Sequence, residues 1–268
     1  MGDGLLARIG RRERVEEPVA VVVAHPDDET IGAGATLPLF RRLLLVHATD
    51  GAPRNGGDAR AEGFATAAGY AAARRRELDT ALAAGSVRAE RAGLGAADQG
   101  ASSRMAELAR ALAGLLRRHG ARAVLTHPYE GGHPDHDAVA FCVHAAASLL
   151  ARGGADAPAV VEMAFYHAGP EGWAVGRFLP NGAPPTVAAL TEGERARKRA
   201  MLAAFATQAA TLARFPAAGE AFRPAPAYDF ADPPHAGAPL YERFPWGMDG
   251  ARWRRLAAGA RRDLALGT

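Results

Sequence analysis

The chain contains a single cysteine, Cys142, and a single lysine, Lys198, among its 268 residues. One cysteine excludes an intramolecular disulfide and a zinc site built on thiolates, and it suits a reducing compartment. No apolar run reaches the length of a transmembrane helix, because each is short or broken by Gly, Pro or Arg. The opening MGDGLLARIGRRERVEEP lacks a continuous apolar segment and mixes acids with its arginines, so no signal peptide is read there. A cytoplasmic protein without membrane insertion is the expectation. The net charge of +3 and the pI near 9.4 raise nucleic acid as a partner. The arginines, however, alternate with acids, as in RRERVEE and EGERARKR, and no basic-aromatic block occurs. Nucleic acid is therefore not expected, and the Ala-, Arg- and Gly-rich composition fits a GC-rich coding sequence better than a binding surface.

With 49 % hydrophobic and 23 % charged residues the chain has the composition of a soluble globular protein. Its length suits one large domain, whose core needs neither disulfide nor metal to hold it. Residues 19–24 form a β-branched apolar run, the pattern of a strand buried on both faces. Further strands are predicted at 43–48, 87–91, 123–126 and 160–166. Between them fall helices at about 30–42, 65–84, 104–119, 136–152 and 191–214, the last opened by the capping-box-like T-E-G-E. The alternation predicts right-handed βαβ units: an α/β, Rossmann-like fold with a largely parallel sheet flanked by helices. The expected organisation is an N-terminal extension at 1–18, an α/β core at 19–215 and a Pro-rich C-terminal extension at 216–268 packed on the same single domain.

The stretch VVVAHPDDET, residues 21–30, ends a buried run on His25, Asp27, Asp28 and Glu29. In open α/β sheets ligands bind beyond the carboxyl ends of the strands. The second strand ends at Thr49–Gly51 and the strand at 123–126 leads into HPYEGGHPDH, which holds His127, His133 and His136. Three loops thus converge on one edge. Pro26 and Pro134 keep His25 and His133 out of helical geometry. Adjacent Asp27 and Asp28 point in different directions, so one can bind a metal while the other faces its water. Two imidazoles and one carboxylate form a known catalytic zinc set with a position left for water. A lone HPDD is accounted for by a helix cap with favourable acids; two such motifs at two strand-to-helix junctions call for more.

AHPDDE at 24–29 together with GGHPDHDAV at 131–139 resembles the PIG-L/LmbE-like N-acetylglucosaminyl deacetylases. TDG at 49–51, RRREL at 74–78, GLGAADQG at 93–100, Lys198 with TQ at 207–208, and YERF at 241–244 extend the similarity over most of the chain. The resemblance implies that His25, Asp28 and His136 bind Zn²⁺ or another divalent ion. It implies Asp27 as general base, His133 as acid or oxyanion stabiliser, Asp135 as the residue orienting His133, and Arg74 and Asp98 as sugar contacts. Gly131 stands where some members have tyrosine, so either Tyr129 substitutes from nearby or the site is more open. The implied reaction is removal of an N-acetyl group from an amino sugar or its glycoside. Zinc lowers the pKa of water and polarises the amide, Asp27 takes a proton, and a protonated His133 steadies the oxyanion. The partner implied is a small N-acetylated sugar or glycoside, with a homo-oligomer compatible. Two alternatives stay open: an amidase acting on a thiol conjugate or other non-sugar amide, and a non-catalytic sugar- or metal-binding protein.

Other polar residues read mostly as structural. His47 and His144 are expected to pack, Cys142 to be a small buried hydrophobe, and His127 either to shape its loop or to touch substrate. GAGAT at 32–36 lacks the third glycine of a dinucleotide loop, and no G-x-S-x-G elbow occurs. Trp173, Trp246 and Trp253 are expected in core or interface positions ahead of sugar stacking.

Overall fold

A nine-residue strand, β1 (Val15–Val23), forms the centre of the parallel part of the sheet because its alternate side chains find apolar partners on both faces. In the computed structural model, which describes residues 2–266, helix α1 (Gly2–Gly10) precedes it and buries Leu5, Leu6 and Ile9. Met1, Gly267 and Thr268, at the outer ends of the two predicted extensions, lie outside the described residues. Helix α2 (Asp28–Ala33) follows β1, and β2 (Phe40–Pro53) returns beside it in parallel. Next come α3 (Gly57–Ala61), α4 (Ala67–Ala84), β3 (Glu90–Asp98), α5 (Met105–His119), β4 (Ala123–Thr126) and α6 (Pro134–Arg152). Strand β5 (Ala159–Met163) is followed by a hairpin, β6 (Tyr166–Gly169) and β7 (Gly172–Val175). The chain closes with β8 (Thr186–Ala189), α7 (Glu192–Ala203), α8 (Ala209–Leu212), β9 (Gly219–Pro224) and α9 (Gly250–Asp263).

Among the described residues seven strands make one sheet in the order β3-β2-β1-β4-β5-β9-β8. The first five run parallel, and β9 and β8 extend the edge antiparallel. Connections from β1 lead to one side and those into β4 to the other, so the chain reverses its winding between these strands. Such a switch point opens a crevice at the strands' carboxyl ends, where the two HPD motifs sit. Val19, Val21 and Val23 pack with Leu43, Leu45, α1, α4 and α7 on one face, while Ala20 and Val22 pack with Leu44, Val46, α5, α6 and α9 on the other. The fold is the single Rossmann-like α/β domain expected.

Several boundaries differ from the reading of the sequence. The helix expected over 30–42 stops at Ala33, and Pro38 enters a separate 3-10 turn, Leu37–Leu39. Strand β2 therefore starts earlier and runs through the TDG segment. The predicted strand at 160–166 is broken between β5 and β6. The predicted helix 191–214 ends at Ala203, where Phe205 turns into the core. The tail carries more order than its prolines suggested: β9 pairs between β5 and β8, and α9 is capped by the Asp249 side chain.

Candidate active site

The peptide leaving β1 folds tightly against its own side chains. Asp28 Oδ2 accepts from the His25 amide at 2.7 Å and lies 3.2 Å from His25 Nδ1. Asp28 Oδ1 lies 3.2 Å from His136 Nε2, which enters from the first turn of α6. Two ring nitrogens and one carboxylate, from two strand ends, therefore converge. His25 Nε2 points the other way, 3.2 Å from Asp98 Oδ1 and 3.4 Å from Asp135 Oδ2.

Asp27 sits beside this cluster in a conformation that L-residues rarely adopt, with φ 129° and ψ −30°. Three contacts hold it there. Its amide donates to Glu29 Oε2 at 3.1 Å, and its Oδ2 accepts from Arg74 Nη2 at 2.7 Å. The same Arg74 nitrogen donates to the preceding carbonyl, Pro26 O, also at 2.7 Å. Glu29 is fixed in turn by Thr30 Oγ1 at 2.6 Å and His47 Nε2 at 3.0 Å. Burial pushes the Asp27 carboxyl up to about 8, outweighing Arg74 beside it. A base near neutrality is well matched to proton transfer.

His133 caps α6: its Nδ1 accepts from the Asp135 amide at 3.1 Å. A nitrogen accepting from an amide carries no proton, so the ring is neutral and donates through Nε2. Burial also lowers its pKa to about 3, as it does for His136. The protonated His133 expected from the resemblance is thus replaced by a neutral donor. Asp135 differs as well. Its carboxylate accepts from the Gln99 and Ala101 amides at 2.6 and 3.0 Å, and it is the backbone, not the carboxylate, that orients His133.

A pocket of about 260 Å³ opens over these groups, lined by His25, Asp27, Asp28, Asp98, His133 and His136 at its floor. Arg74 reaches it with both terminal nitrogens engaged, one on Asp27 and Pro26 and the other on the Gly51 carbonyl at 2.7 Å. Its geometry serves Asp27 rather than a sugar. Tyr129, expected at the substrate, lies instead in the core, stacked on Trp253 with its hydroxyl donating to Asp232 O at 2.9 Å. Gly131 has φ +71°, and a Cβ there would meet Pro239 at 3.1 Å. The C-terminal segment fills the space of a side chain at 131 and brings Phe244 and Trp246 into the pocket.

His127 shapes its loop: it is fully buried, accepts from the Ala24 amide at 3.0 Å and stacks on His136 at 3.9 Å. His47 packs against Glu29, and Cys142 and Trp253 are buried, as expected. Trp173 and Trp246 line the pocket, contrary to expectation. Glu29 was given no role from the sequence, and Asp137 escaped notice. Asp137 accepts from the Glu130 and Gly131 amides at 3.3 and 3.0 Å and so sets the turn before His133. Their signal was present: both are acids inside otherwise apolar or motif segments with no room for solvent.

Gly132 allows the closest approach in this turn, since a Cβ would fall 2.1 Å from the Tyr166 carbonyl. Gly132→Ala is expected to destabilise the fold by about 3 kcal/mol by overpacking against backbone. Gly193→Ala, whose Cβ meets nothing, should be neutral or stabilising by up to about 1 kcal/mol. Urea unfolding of both variants checks the contrast, and equal stabilities would contradict the packing of this turn.

The residues fit a divalent ion. Three overlapping groups bring ligand atoms within 4.8 Å of one another: His25–His133–His136, His25–Asp98–His133–Asp135 and Asp28–His127–His136. His25 Nε2 and Asp98 Oδ1 face each other buried and without a hydrogen bond, a costly arrangement for two polar atoms with no further partner. Burial lowers the His136 pKa to about 3 and keeps this imidazole neutral, the donor state a metal requires, whereas the His25 pKa is raised well above its ordinary value because Asp98 and Asp28 outweigh burial there.

These features define a Rossmann-like α/β protein with a buried imidazole–carboxylate centre, able to hold a metal, at its topological switch point. A family model described as "PIG-L: GlcNAc-PI de-N-acetylase" matches residues 20–147. No curated protein matches the sequence. Among solved structures, the zinc-inhibited form of teicoplanin deacetylase Orf2 aligns with a TM-score of 0.57 at 16 % identity, covering 76 % of this chain and 96 % of its own. The N,N'-diacetylchitobiose deacetylase from Pyrococcus horikoshii aligns at 0.53 and 17 %, covering 83 % and 90 %. GalB, the 4-carboxy-2-hydroxymuconate hydratase from Pseudomonas putida, aligns at 0.54 and 18 %, covering 79 % and 99 %. At these identities the likeness is one of fold.

Proposed function

We propose that this chain is a zinc-dependent hydrolase that removes an N-acetyl group from an amino sugar or its glycoside. The deacetylases among its structural neighbours and the PIG-L match support the reaction class. The observation that carries the reading is Asp27: a carboxylate that lines the pocket together with His25, Asp28 and His136 and is held in a strained conformation by Arg74 and Glu29. A protein that only binds sugar or metal has no use for a base so positioned, and strain of this kind persists only when its surroundings impose it. No helix among the described residues is long and apolar enough to cross a membrane, and the reading places the reaction on a small molecule in the cytoplasm.

His25, Asp28 and His136 would hold the ion, which when bound activates water and polarises the amide carbonyl. The chain's own residues do the rest. Asp27 accepts a proton from the attacking water as its oxygen bonds to the acyl carbon. His133 donates from Nε2 to the oxygen that gains charge, which needs no protonated ring. Asp98 and Asp135 fix the orientation of His25. The proton on Asp27 then passes to the amide nitrogen as the C–N bond breaks, leaving acetate and a free amine. Acetate release from a panel of N-acetylglucosamine derivatives, with and without added zinc, tests the reaction. Release of acetate from non-sugar amides alone would move the activity to the amidase alternative.

A further inference from the structure

A second cavity, of about 370 Å³, lies at the edge of the sheet between α4 and β3. None of the residues around it also lines the pocket over His25 and His136. The space is there because β3, an edge strand, carries glycine where a side chain would fill it. Gly93 pairs in register with His47 on β2, so a side chain at position 93 would stand beside the imidazole on the same face of the sheet. A Cβ on Gly93 would meet no atom within 4 Å.

Most polar groups around this cavity are satisfied within the chain. Thr49 Oγ1 donates to Ala24 O at 3.0 Å, and Arg91 pairs with Asp79. The Asp50 carboxylate accepts from Arg54 Nη2 at 2.6 Å and from the Ala52 amide at 3.1 Å. Two groups are left over. Arg75, exposed on α4, has no hydrogen-bond or ion-pair partner among the described residues. His47 is only 7 % exposed, yet half of its ring chemistry is unused. Its Nε2 lies 3.0 Å from Glu29, whose carboxylate also accepts from the Asp27 amide and Thr30 Oγ1. Nε2 is therefore the donor, and in the neutral imidazole Nδ1 is an acceptor. That Nδ1 has no partner among the described residues and opens on the cavity.

The cavity thus leaves unmatched one guanidinium and, beside Gly93, one hydrogen-bond acceptor. An oxyanion satisfies the first by charge-assisted hydrogen bonds, and a hydroxyl satisfies the second. An apolar occupant satisfies neither. We propose that this cavity binds a small hydroxylated anion of the sugar-phosphate kind, its anionic group on Arg75 and a hydroxyl donating to His47 Nδ1. The site stands apart from the reacting centre and does not depend on the deacetylase reading. Glu29 links the two, since it holds both the His47 ring and the Asp27 amide.

Calorimetry on the full chain with glycerol 3-phosphate and with methyl phosphate, which lacks the hydroxyl, tests the site. Glycerol 3-phosphate is expected to bind about fivefold more tightly, through the hydroxyl. Arg75→Gln weakens both ligands about tenfold. His47→Gln keeps an N–H donor towards Glu29 but removes Nδ1, and it brings the two ligands to the same Kd. Gly93→Val fills the space beside the ring and abolishes binding of both, while Tm is unchanged or raised, because valine suits a strand and meets no other atom. Arg75 and Gly93 are both exposed, so neither change threatens the fold. Equal Kd values for the two phosphates in the wild type, or a hydroxyl preference that survives His47→Gln, overturn the proposal. So does the absence of any heat of binding. Binding that Arg75→Gln or Gly93→Val leaves unchanged also overturns it, and would put the anion elsewhere, such as at the metal centre.

Discussion

Asp27→Asn is expected to lower acetate release by roughly a thousandfold, the usual range for loss of a positioned general base, while the protein keeps its divalent ion. The asparagine side chain matches the carboxylate in shape and still offers an oxygen to Arg74, so the strained backbone and its clamp persist. What disappears is the ability to take a proton from water. Burial places that ability near neutral pH by raising the carboxyl to about 8 despite Arg74 at 2.7 Å. Metal content after gel filtration and acetate release from the same preparation check the pair of outcomes. A variant that loses its metal would show Asp27 to be a ligand; one that keeps both metal and turnover would remove it from the reaction.

His136→Ala gives the opposite pattern. Its Nε2 is one of two ring nitrogens that approach Asp28 at 3.2 Å, so its removal breaks the proposed ligand set while leaving Asp27 in place. The wild-type protein with zinc at a hundred times its Kd is expected to gain about 2.7 kcal/mol of stability. For a chain of this size that raises Tm by roughly 5–10 °C. In His136→Ala the zinc-dependent rise in Tm and the turnover are both lost. Titration of zinc in a thermal-unfolding experiment reads this without reference to activity. A rise of the same size in the variant would place the ion on another of the overlapping groups, such as His25 with Asp98, His133 and Asp135.

The sequence alone made the centre of the sheet legible, because β1 is apolar at every second position on both faces and ends abruptly on ligands. The two HPD motifs were legible for the same reason: prolines and clustered acids have no place in a core. The Thr191–Glu194 capping box formed as read. Features set by distant chain were not legible. Tyr129 was expected at the substrate, yet Trp253, 124 positions later, draws it into the core. Arg74 was expected to contact a sugar, yet three acceptors from other segments occupy its terminal nitrogens. The neutral state of His133 follows from its burial and from the Asp135 amide that donates to Nδ1, neither of which a residue pattern reveals. The order of the tail was hidden because β9 gains its apolar environment only between β5 and β8.

The run of rings from Trp173 to Trp246 and the cluster from His25 to His136 lie in separate stretches of the polypeptide. The proposed reacting groups are thus encoded between codons 25 and 136, and the rings that line the pocket beside them between codons 173 and 246. The two meet where Trp246 lies 4.6 Å from the His133 ring, beside the closely packed turn at Gly131 and Gly132. Exchanging the segment from β6 onward between relatives is a direct route to new acceptors, with the reacting groups left as they are.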